Sequence, residues 1–238
     1  LGSNLLVSDK GWPGVIIYLG ANLSGWRFDD TAATVMAGTR LLDLIQDAVD
    51  QGLGGMELMA GIPGSVGGAL RMNAGAFGQE IEQTTVKVKG FQLDSSPFEA
   101  GRNEINFGYR RVPQLERVVI TSGEFRFKKT AAGTLKQRMN DILALRAKKQ
   151  PLNYPSCGSV FKRPPGYYAG ALIEEAGLKG ARIGDAMVSP KHAGFILNTG
   201  KANAADVFRL IRRIEDRVWE RFGVKLEREI KLIGEFND

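Results

Sequence analysis

A glycine-dense segment at residues 60–78 carries the residue types best suited to binding an anionic ligand. Its candidate ligand-binding residues, in chain order, are Gly61, Gly64, Ser65, Gly67, Gly68 and Asn73. Closely spaced glycines expose consecutive main-chain N–H groups, and such groups form a concave anion site. Pro63 stiffens the loop, and Ser65 and Asn73 add polar side chains. The chemistry indicated is the binding of a phosphate or a similar anion.

The spacing of these glycines differs from that of both familiar phosphate-binding motifs. The segment has no lysine followed by serine or threonine, as a P-loop requires, and it lacks the dinucleotide fingerprint with its leading strand. On spacing alone, a structural glycine turn and a phosphate-binding loop are equally supported. A second cluster, Gly2-Ser3-Asn4, precedes an apolar stretch. Together the two clusters indicate two loops around a pyrophosphate, with Ser3 and Asn4 in the first.

Ser159 is a candidate proton donor. It follows the flexible Gly158, and the cationic side chains of Lys162 and Arg163 come shortly after it. A hydroxyl in an electropositive pocket can donate a proton, but local sequence alone favours a turn serine that bonds its own backbone. The only cysteine, Cys157, and the only histidine, His192, raise a rival thiol–base pair. Neither lies in a known nucleophile signature, and a lone cysteine is usually buried.

Two charged residues, Arg110 and Glu229, have ordinary surroundings in the sequence. Arg110 follows Asn106-Phe107-Gly108-Tyr109, and an arginine in such a place is usually a surface charge. Glu229 lies in a stretch that alternates apolar and charged residues, where a glutamate is normally solvated. Neither residue indicates a site by itself.

The composition is that of an ordinary soluble globular protein, with 43% hydrophobic and 24% charged residues among 238. The net charge of +6 could suit an anionic partner. The arginines at 209–221 alternate with acidic residues, so a solvated helix face is favoured over a nucleic-acid patch. We expect no nucleic-acid partner and no metal. We also expect no membrane insertion, because no apolar run approaches the ~20 residues that a bilayer requires. A single cysteine and no export signal favour a cytoplasmic protein.

The periodicity of apolar residues predicts an α+β fold. Strands are predicted at residues 5–7, 14–19, 34–38, 86–91, 118–127 and 226–233. Helices are predicted at residues 41–49, from Thr134 through the apolar stripe that reaches Leu145 with Pro151 closing the pattern, at 169–176 and from Asn203 to Gly223. Residues 128–134 have the composition of a linker, so we expect two domains, 1–130 and 131–238.

Seven ordered motifs resemble the UDP-N-acetylenolpyruvoylglucosamine reductase family, and the resemblance runs the full length of the chain. The motifs are Gly-Ser-Asn-Leu-Leu-Val (2–7), Gly-Ile-Pro-Gly-Ser-Val-Gly-Gly-Ala (61–69), Asn-Ala-Gly-Ala-Phe-Gly (73–78), Phe-Gly-Tyr-Arg (107–110), Cys-Gly-Ser-Val-Phe-Lys-Arg-Pro (157–164), Lys-His-Ala-Gly-Phe (191–195) and Glu-Arg-Glu-Ile (227–230). The compact length is that of the shorter class of the family, which lacks an inserted segment bearing a substrate-clamping tyrosine.

This resemblance implies a flavoprotein reductase of peptidoglycan precursor synthesis, and thus a role in cell-wall biogenesis, cell shape and cell division. The implied fold is an FAD-binding domain of the vanillyl-alcohol-oxidase/PCMH type followed by a smaller α+β substrate-binding domain. FAD is held noncovalently, NADPH is the co-substrate, and UDP-N-acetylglucosamine enolpyruvate becomes UDP-N-acetylmuramate. We expect a monomer or weak oligomer. An FAD-dependent oxidase of the same fold and a basic nucleic-acid-binding module are the alternatives.

The resemblance also implies roles for individual residues. Arg110, Ser159 and Glu229 match the catalytic positions, with Ser159 as the proton donor. Both glycine loops become cofactor contacts, through Ser3, Asn4, Gly61, Ile62, Pro63, Gly64, Ser65, Gly67, Gly68 and Asn73. Tyr109, Lys149 and Arg163 become substrate contacts. Family members carry several dozen residues before the first glycine loop, so we expect the FAD-binding region at 1–130 to be N-terminally incomplete. Val112 stands where members commonly have serine, which weakens the local match without affecting Arg110.

Overall fold

A computed structural model describes residues 1–236, which form five α-helices and fourteen strands. The helices are α1 (Leu41–Asp50), α2 (Val66–Met72), α3 (Ala132–Lys149), α4 (Ala169–Glu175) and α5 (Ala204–Phe222). The strands are β1 (Leu5–Val7), β2 (Trp26–Asp29), β3 (Ala32–Met36), β4 (Leu53–Gly54), β5 (Gly75–Ala76), β6 (Gln79–Glu80), β7 (Thr85–Gln92), β8 (Pro97–Gly101), β9 (Val118–Arg126), β10 (Lys128–Lys129), β11 (Arg182–Ile183), β12 (Ala186–Val188), β13 (Ile196–Asn198) and β14 (Lys231–Ile233). The predicted α+β class is confirmed. None of the helices within residues 1–236 combines the length and apolar character needed to cross a membrane.

The chain divides into two compact units. The first unit consists of Leu1 and residues 17–146, and the second consists of residues 2–16 and 147–238. The boundary between the two units falls late in α3, because Leu135 and Met139 of that helix are buried in the core of the first unit. Residues 2–16 join the second unit because β1 pairs in parallel with β14. These units describe packing, and the functional domains 1–130 and 131–238 stay a prediction.

The first unit is built on a five-stranded antiparallel sheet in the order β2-β3-β9-β7-β8. The apolar residues of α1 recur at helical spacing and are buried, namely Leu41, Leu44, Ile45, Ala48 and Val49. Helix α2 packs on the sheet through Leu70, and a Cβ added to Gly123 of β9 would lie 3.1 Å from Leu70 Cδ1. This close approach fixes the glycine-dense segment, within which α2 begins, against the sheet.

The second unit combines the antiparallel sheet β11-β12-β13 with helices α4 and α5. Helix α5 begins and ends as predicted. The Asn203 side chain accepts a hydrogen bond from the Asp206 N–H at 2.8 Å, and Gly223 ends the helix in the left-handed conformation, with φ 63°. Its apolar stripe is buried, and Arg209, Arg212, Arg213, Arg217 and Arg221 are all exposed. The solvated helix face is therefore confirmed.

Several predicted elements differ from the structure. Residues 14–19 form no strand, and the side chains of Val15 and Ile17 are 87% and 79% exposed. No neighbouring strand within residues 1–236 pairs with them, so their high β-propensity has no sheet in which to act. The predicted C-terminal strand shortens to β14, because residues 226–230 contribute only an isolated bridge between Phe161 and Arg228. Thr134 lies inside α3 and does not cap it.

Candidate active site and cofactor-binding residues

The glycine-dense segment folds as a loop that turns into α2. The Ser65 hydroxyl caps this helix by accepting a hydrogen bond from the Gly68 N–H at 3.3 Å. Gly67 approaches Ala37, the residue that follows β3, closely, since its N–H bonds the Ala37 oxygen at 2.8 Å and an added Cβ would lie 2.9 Å from Ala37 Cβ. The sequence pattern concealed α2 because glycine is a poor helix former.

The segment leaves only some of its main-chain donors for a ligand. The N–H groups of Ile62, Val66 and Gly67 bond the oxygens of Met59, Thr39 and Ala37, respectively. By contrast, no hydrogen bond within residues 1–236 engages the N–H groups of Gly61, Gly64 and Ser65. The donors available for an anion are therefore concentrated at the start of the loop.

A cavity of about 330 Å³ adjoins the same segment in the first unit. Its lining includes Ser65, Gly67, Gly68 and Arg71, and residues 118–120 line another part of it. The Arg71 guanidinium donates hydrogen bonds to the main-chain oxygens of Leu115 and Glu116, which hold a positive charge at the cavity wall. Glycines that lack side chains, a capped helix and a fixed cation together suit a phosphate-bearing ligand.

Two buried side-chain atoms within residues 1–236 have no hydrogen-bond partner, namely Asn73 Oδ1 and Arg146 Nε. Asn73 belongs to the glycine-dense segment. Arg146 lies against its first glycine, because a Cβ added to Gly61 would lie 2.9 Å from Arg146 Nε. A buried acceptor and a buried donor that have no hydrogen-bond partner lower the stability of the fold unless a ligand supplies the missing partners. The residues present therefore fit a bound cofactor that offers both acceptors and donors.

Arg110 is fixed to the glycine-dense segment. Its Nη1 donates to the Asn73 main-chain oxygen at 3.2 Å, and its Nη2 donates to the Gly75 oxygen at 2.8 Å. The Asn73 side chain in turn donates to Glu80 Oε2 at 2.8 Å. Arg110 has φ 54°, a conformation uncommon for a residue with a side chain and often found at functional sites. The Tyr109 ring centre lies 5.1 Å from the Arg110 guanidinium carbon.

Ser159 and Glu229 lie on adjacent segments of the second unit. The Glu229 N–H donates to the Val160 oxygen at 2.8 Å, directly after Ser159. On its other side, Ser159 forms an antiparallel bridge with Phe195. The Asn4 side-chain amide donates to the Glu229 main-chain oxygen at 3.2 Å. The structure thus assembles Asn4, Ser159 and Glu229 in one unit, and it places the segment at 61–73 in the other.

Comparison with known proteins gives a consistent result. Residues 1–92 match the model of an FAD binding domain, and residues 150–233 match that of the UDP-N-acetylenolpyruvoylglucosamine reductase C-terminal domain. The reductase of Agathobacter rectalis is 44% identical over 99% of this chain and 79% of the relative. That of Oceanobacillus iheyensis is 44% identical over 98% of this chain and 76% of the relative. The crystal structure of the enzyme from Thermus caldophilus superposes with a TM-score of 0.83 at 37% identity, covering 98% of this chain and 83% of that one.

The chain belongs to the UDP-N-acetylenolpyruvoylglucosamine reductase family. It is an oxidoreductase of peptidoglycan precursor synthesis, with FAD as its cofactor and NADPH as the reductant. The expected fold, an FAD-binding domain followed by the C-terminal domain of the reductase, is confirmed. Family membership sets aside both the oxidase and the nucleic-acid-binding module.

The remaining substrate-contact candidates lie in the second unit of this reductase. Lys149 is the last residue of α3 and is exposed. Lys191 lies at the same helix end, because its Nζ donates to the Ala147 oxygen at 2.7 Å. The Arg163 guanidinium carbon lies 4.0 Å from the centre of the Tyr168 ring. This cation–π contact orients the Arg163 head group.

The rival thiol–base pair is disfavoured in this reductase. Burial raises the pKa of the Cys157 thiol, whereas an activated nucleophile requires a lowered pKa. Burial also lowers the pKa of His192, which keeps the imidazole neutral. His192 Nδ1 accepts a hydrogen bond from the Gly194 N–H at 3.1 Å, and its ring packs edge-on against Phe195. These contacts make His192 part of the structural support behind the Ser159 segment.

Sequence reasoning missed Arg146. A signal was present, because Arg146 continues the apolar stripe that runs along α3 through Leu135, Met139 and Leu143. A charged residue at a position where helical periodicity requires an apolar one is a sign of a buried charge.

Proposed function

We propose that this chain reduces the enol ether of UDP-N-acetylglucosamine enolpyruvate to give UDP-N-acetylmuramate, at the expense of NADPH. The observation that carries the proposal is that Ser159 and Glu229 lie on adjacent segments. A hydrogen bond of 2.8 Å from the Glu229 N–H to the Val160 oxygen joins these segments. Two potential hydrogen-bonding side chains on adjacent segments suit a reaction that must both stabilise and protonate a carbanion.

FAD supplies the redox chemistry when bound, by accepting hydride from NADPH and passing it to C3 of the enolpyruvyl group. The protein must then stabilise the negative charge that develops at C2 and spreads into the carboxylate. Arg110 binds this carboxylate, because a planar guanidinium matches its two oxygens. Its bonds to the Asn73 and Gly75 oxygens fix the guanidinium plane before substrate binds.

Ser159 protonates C2 in this proposal. Serine is a weak acid, but the enolate is a strong base, so the transfer requires close and well-oriented contact. The bridge to Phe195 and the neighbouring contacts of Val160 hold the Ser159 backbone in place. Glu229 in its neutral form donates a hydrogen bond to the developing charge or positions the substrate.

The proposed binding residues are those that the family resemblance implies. Tyr109, Lys149 and Arg163 contact the substrate, with Lys149 directed to its diphosphate. The proposed cofactor contacts are Ser3, Asn4, Gly61, Ile62, Pro63, Gly64, Ser65, Gly67, Gly68 and Asn73. Among these, Gly61, Gly64 and Ser65 have main-chain N–H groups that no hydrogen bond within residues 1–236 engages. We place the reaction in the cytoplasm, where NADPH and nucleotide sugars are available, and propose a monomer or weak oligomer.

Steady-state assays with purified protein and added FAD test this function. NADPH should be consumed only when the enolpyruvyl sugar nucleotide is present, with one lactyl product formed per NADPH. Assays without substrate, in air and under argon, measure any oxidase reaction. Rapid NADPH consumption that depends on oxygen and is indifferent to the sugar nucleotide would contradict the proposal.

A further inference from the structure

Arg146 is a buried arginine that forms no ion pair with an acidic residue within residues 1–236. The residue is 9% exposed, and its Nε has no hydrogen-bond partner within residues 1–236. Burial lowers the pKa of its guanidinium, and among the described residues no acidic group offsets that effect. The contrast with Arg138 on the same helix is informative, because Arg138 pairs with Glu57 at 3.4 Å. A buried and unpaired charge destabilises a protein unless a ligand completes it.

The Arg146 side chain lies directly against the start of the glycine-dense segment. A Cβ added to Gly61 would lie 2.9 Å from Arg146 Nε and 3.0 Å from its Cδ. Gly61 also has φ +80°, so a larger residue there would be strained as well as obstructed. Both residues belong to the first unit. Gly61 falls within the region matched by the FAD binding domain model, whereas Arg146 falls in neither matched region.

We propose that Arg146 is a cofactor-binding residue, whose guanidinium donates a hydrogen bond to an anionic group of FAD at the Gly61 end of the loop. The inference rests on FAD being the cofactor of the chain. FAD offers two such groups, the pyrophosphate and the isoalloxazine ring, and the ring becomes anionic only on reduction. Either group supplies the negative counter-charge for the buried guanidinium.

A role in binding the cofactor explains why Arg146 has no acidic partner within residues 1–236. A guanidinium already paired with a carboxylate would have little to gain from an anionic ligand. An unpaired one is costly in the free protein and recovers that cost when the cofactor binds, which is a common trade-off between stability and function. Arg146 should therefore destabilise the FAD-free protein and stabilise the FAD complex.

The test compares Arg146→Met, which keeps much of the side-chain length, with Arg146→Lys, which keeps the charge. Lys136→Met is the matched control, because it removes one positive charge from an exposed position on the same helix. Three quantities are measured for each protein. They are the thermal stability without FAD, the Kd for oxidised FAD, and the midpoint potential of the bound flavin. FAD binding by the unsubstituted protein is measured first, so that failure of the cofactor assignment is distinguished from failure of this inference.

The two possible anionic groups give different results. Contact with the pyrophosphate predicts that Arg146→Met raises the Kd for FAD about tenfold or more and leaves the potential unchanged, as expected for loss of a charge-assisted hydrogen bond. Contact with the reduced ring predicts a small change in that Kd and a more negative potential. A tenfold loss of preference for reduced flavin corresponds to a shift of about 30 mV. In both cases, Arg146→Lys should fall between the Met variant and the unsubstituted protein.

The stability measurement separates this role from a structural one. We expect Arg146→Met without FAD to melt at the same temperature as the FAD-free unsubstituted protein or higher. If the contact is with the pyrophosphate, the variant should also gain less thermal stability when oxidised FAD is added. A lower melting temperature without FAD, together with an unchanged Kd and an unchanged potential, would overturn the proposal and make Arg146 a packing residue.

Discussion

The side-chain amide of Asn4 donates a hydrogen bond of 3.2 Å to the main-chain oxygen of Glu229, a residue 225 positions later in the chain. The Lys231 N–H returns a bond to the Asn4 oxygen at 2.9 Å, next to the parallel pair β1 and β14. Asn4 therefore supports the main chain that carries a proposed catalytic carboxyl group. This relationship gives the first cluster, Gly2-Ser3-Asn4, a structural task in addition to its proposed contact with the cofactor.

Substitution of Asn4 should weaken this support. Asn4→Ala removes the donor to the Glu229 oxygen, and we expect a loss of about 1 kcal/mol in the free energy of unfolding, the usual value of one hydrogen bond. Urea unfolding of the FAD-free protein measures the effect without a contribution from cofactor loss. Asn153→Ala, at an exposed position of the same unit, is the control and should change little. Equal stability of the two variants would show that the Asn4 bond contributes nothing.

The role of Ser159 is tested by separating the two half-reactions. Ser159→Ala should leave reduction of the flavin by NADPH unchanged and slow its reoxidation by the enolpyruvyl substrate by about 10²–10⁴, the range for loss of a general acid. Stopped-flow absorbance measures both rates. Ser156→Ala, in the exposed stretch just before Cys157, is the matched control. Reoxidation of Ser159→Ala at the normal rate would refute proton donation by this residue.

Asn73 should position Arg110. Asn73 is fully buried in the left-handed conformation, with φ 41° and ψ 58°, and its amide bonds Glu80. Asn73→Gly permits the same backbone and removes only the side-chain bonds. We expect a loss of about 1–3 kcal/mol of stability, since one bond involves a carboxylate. The KM for substrate should also rise, because the side-chain bond to Glu80 fixes the main chain at Asn73, whose main-chain oxygen accepts the hydrogen bond that orients Arg110.

A second variant, Asn73→Asp, tests whether the contact with Glu80 determines the loss of stability. It keeps the size of the side chain but places a second carboxylate against Glu80, so it should destabilise the protein more than Asn73→Gly does. Denaturant unfolding orders the two variants. A KM that stays normal in Asn73→Gly would exclude a positioning role.

The stability of the protein should depend on pH through His192. Burial lowers the pKa of this imidazole in the folded state, so between the folded and unfolded pKa values the unfolded chain binds more protons. The contribution is therefore complete above the unfolded pKa, about 6.5, and is lost as pH falls toward the folded value. His192→Asn keeps an acceptor for the Gly194 N–H and should flatten this dependence. Urea unfolding between about pH 8 and pH 5 measures it, and an unchanged slope in the variant would contradict the assignment.

The sequence predicted the elements that are determined by residues close to one another in the chain. Helix α5 was predicted by its apolar stripe, the Asn203 cap and the terminal Gly223, all of which act within a few residues of each other. The exposed run at 14–19 has a strand composition, but strand formation depends on a neighbour that sequence periodicity does not identify. Helix α2 was concealed for the opposite reason, since tertiary packing of Gly67 on Ala37 outweighs the weak helix propensity of glycine.

The candidate site was predictable only through ordered motifs. Ser159 and Glu229 were each unremarkable in their own surroundings, and family resemblance alone singled them out. Their adjacency arises because the segments around residues 160 and 229 hydrogen-bond each other, a long-range pairing that no local pattern encodes. Arg146 lies outside every ordered motif, and its significance depends on its burial, which the motifs do not encode.

An anaerobic titration tests the central claim most directly. The FAD-loaded protein is reduced with one equivalent of NADPH and then titrated with UDP-N-acetylglucosamine enolpyruvate while the flavin absorption band is recorded. We predict complete return of the oxidised band at one equivalent of substrate, with formation of the lactyl sugar nucleotide. A flavin that stays reduced in the presence of excess substrate, and is reoxidised only when air is admitted, would contradict the assignment of this chain as an enolpyruvyl reductase.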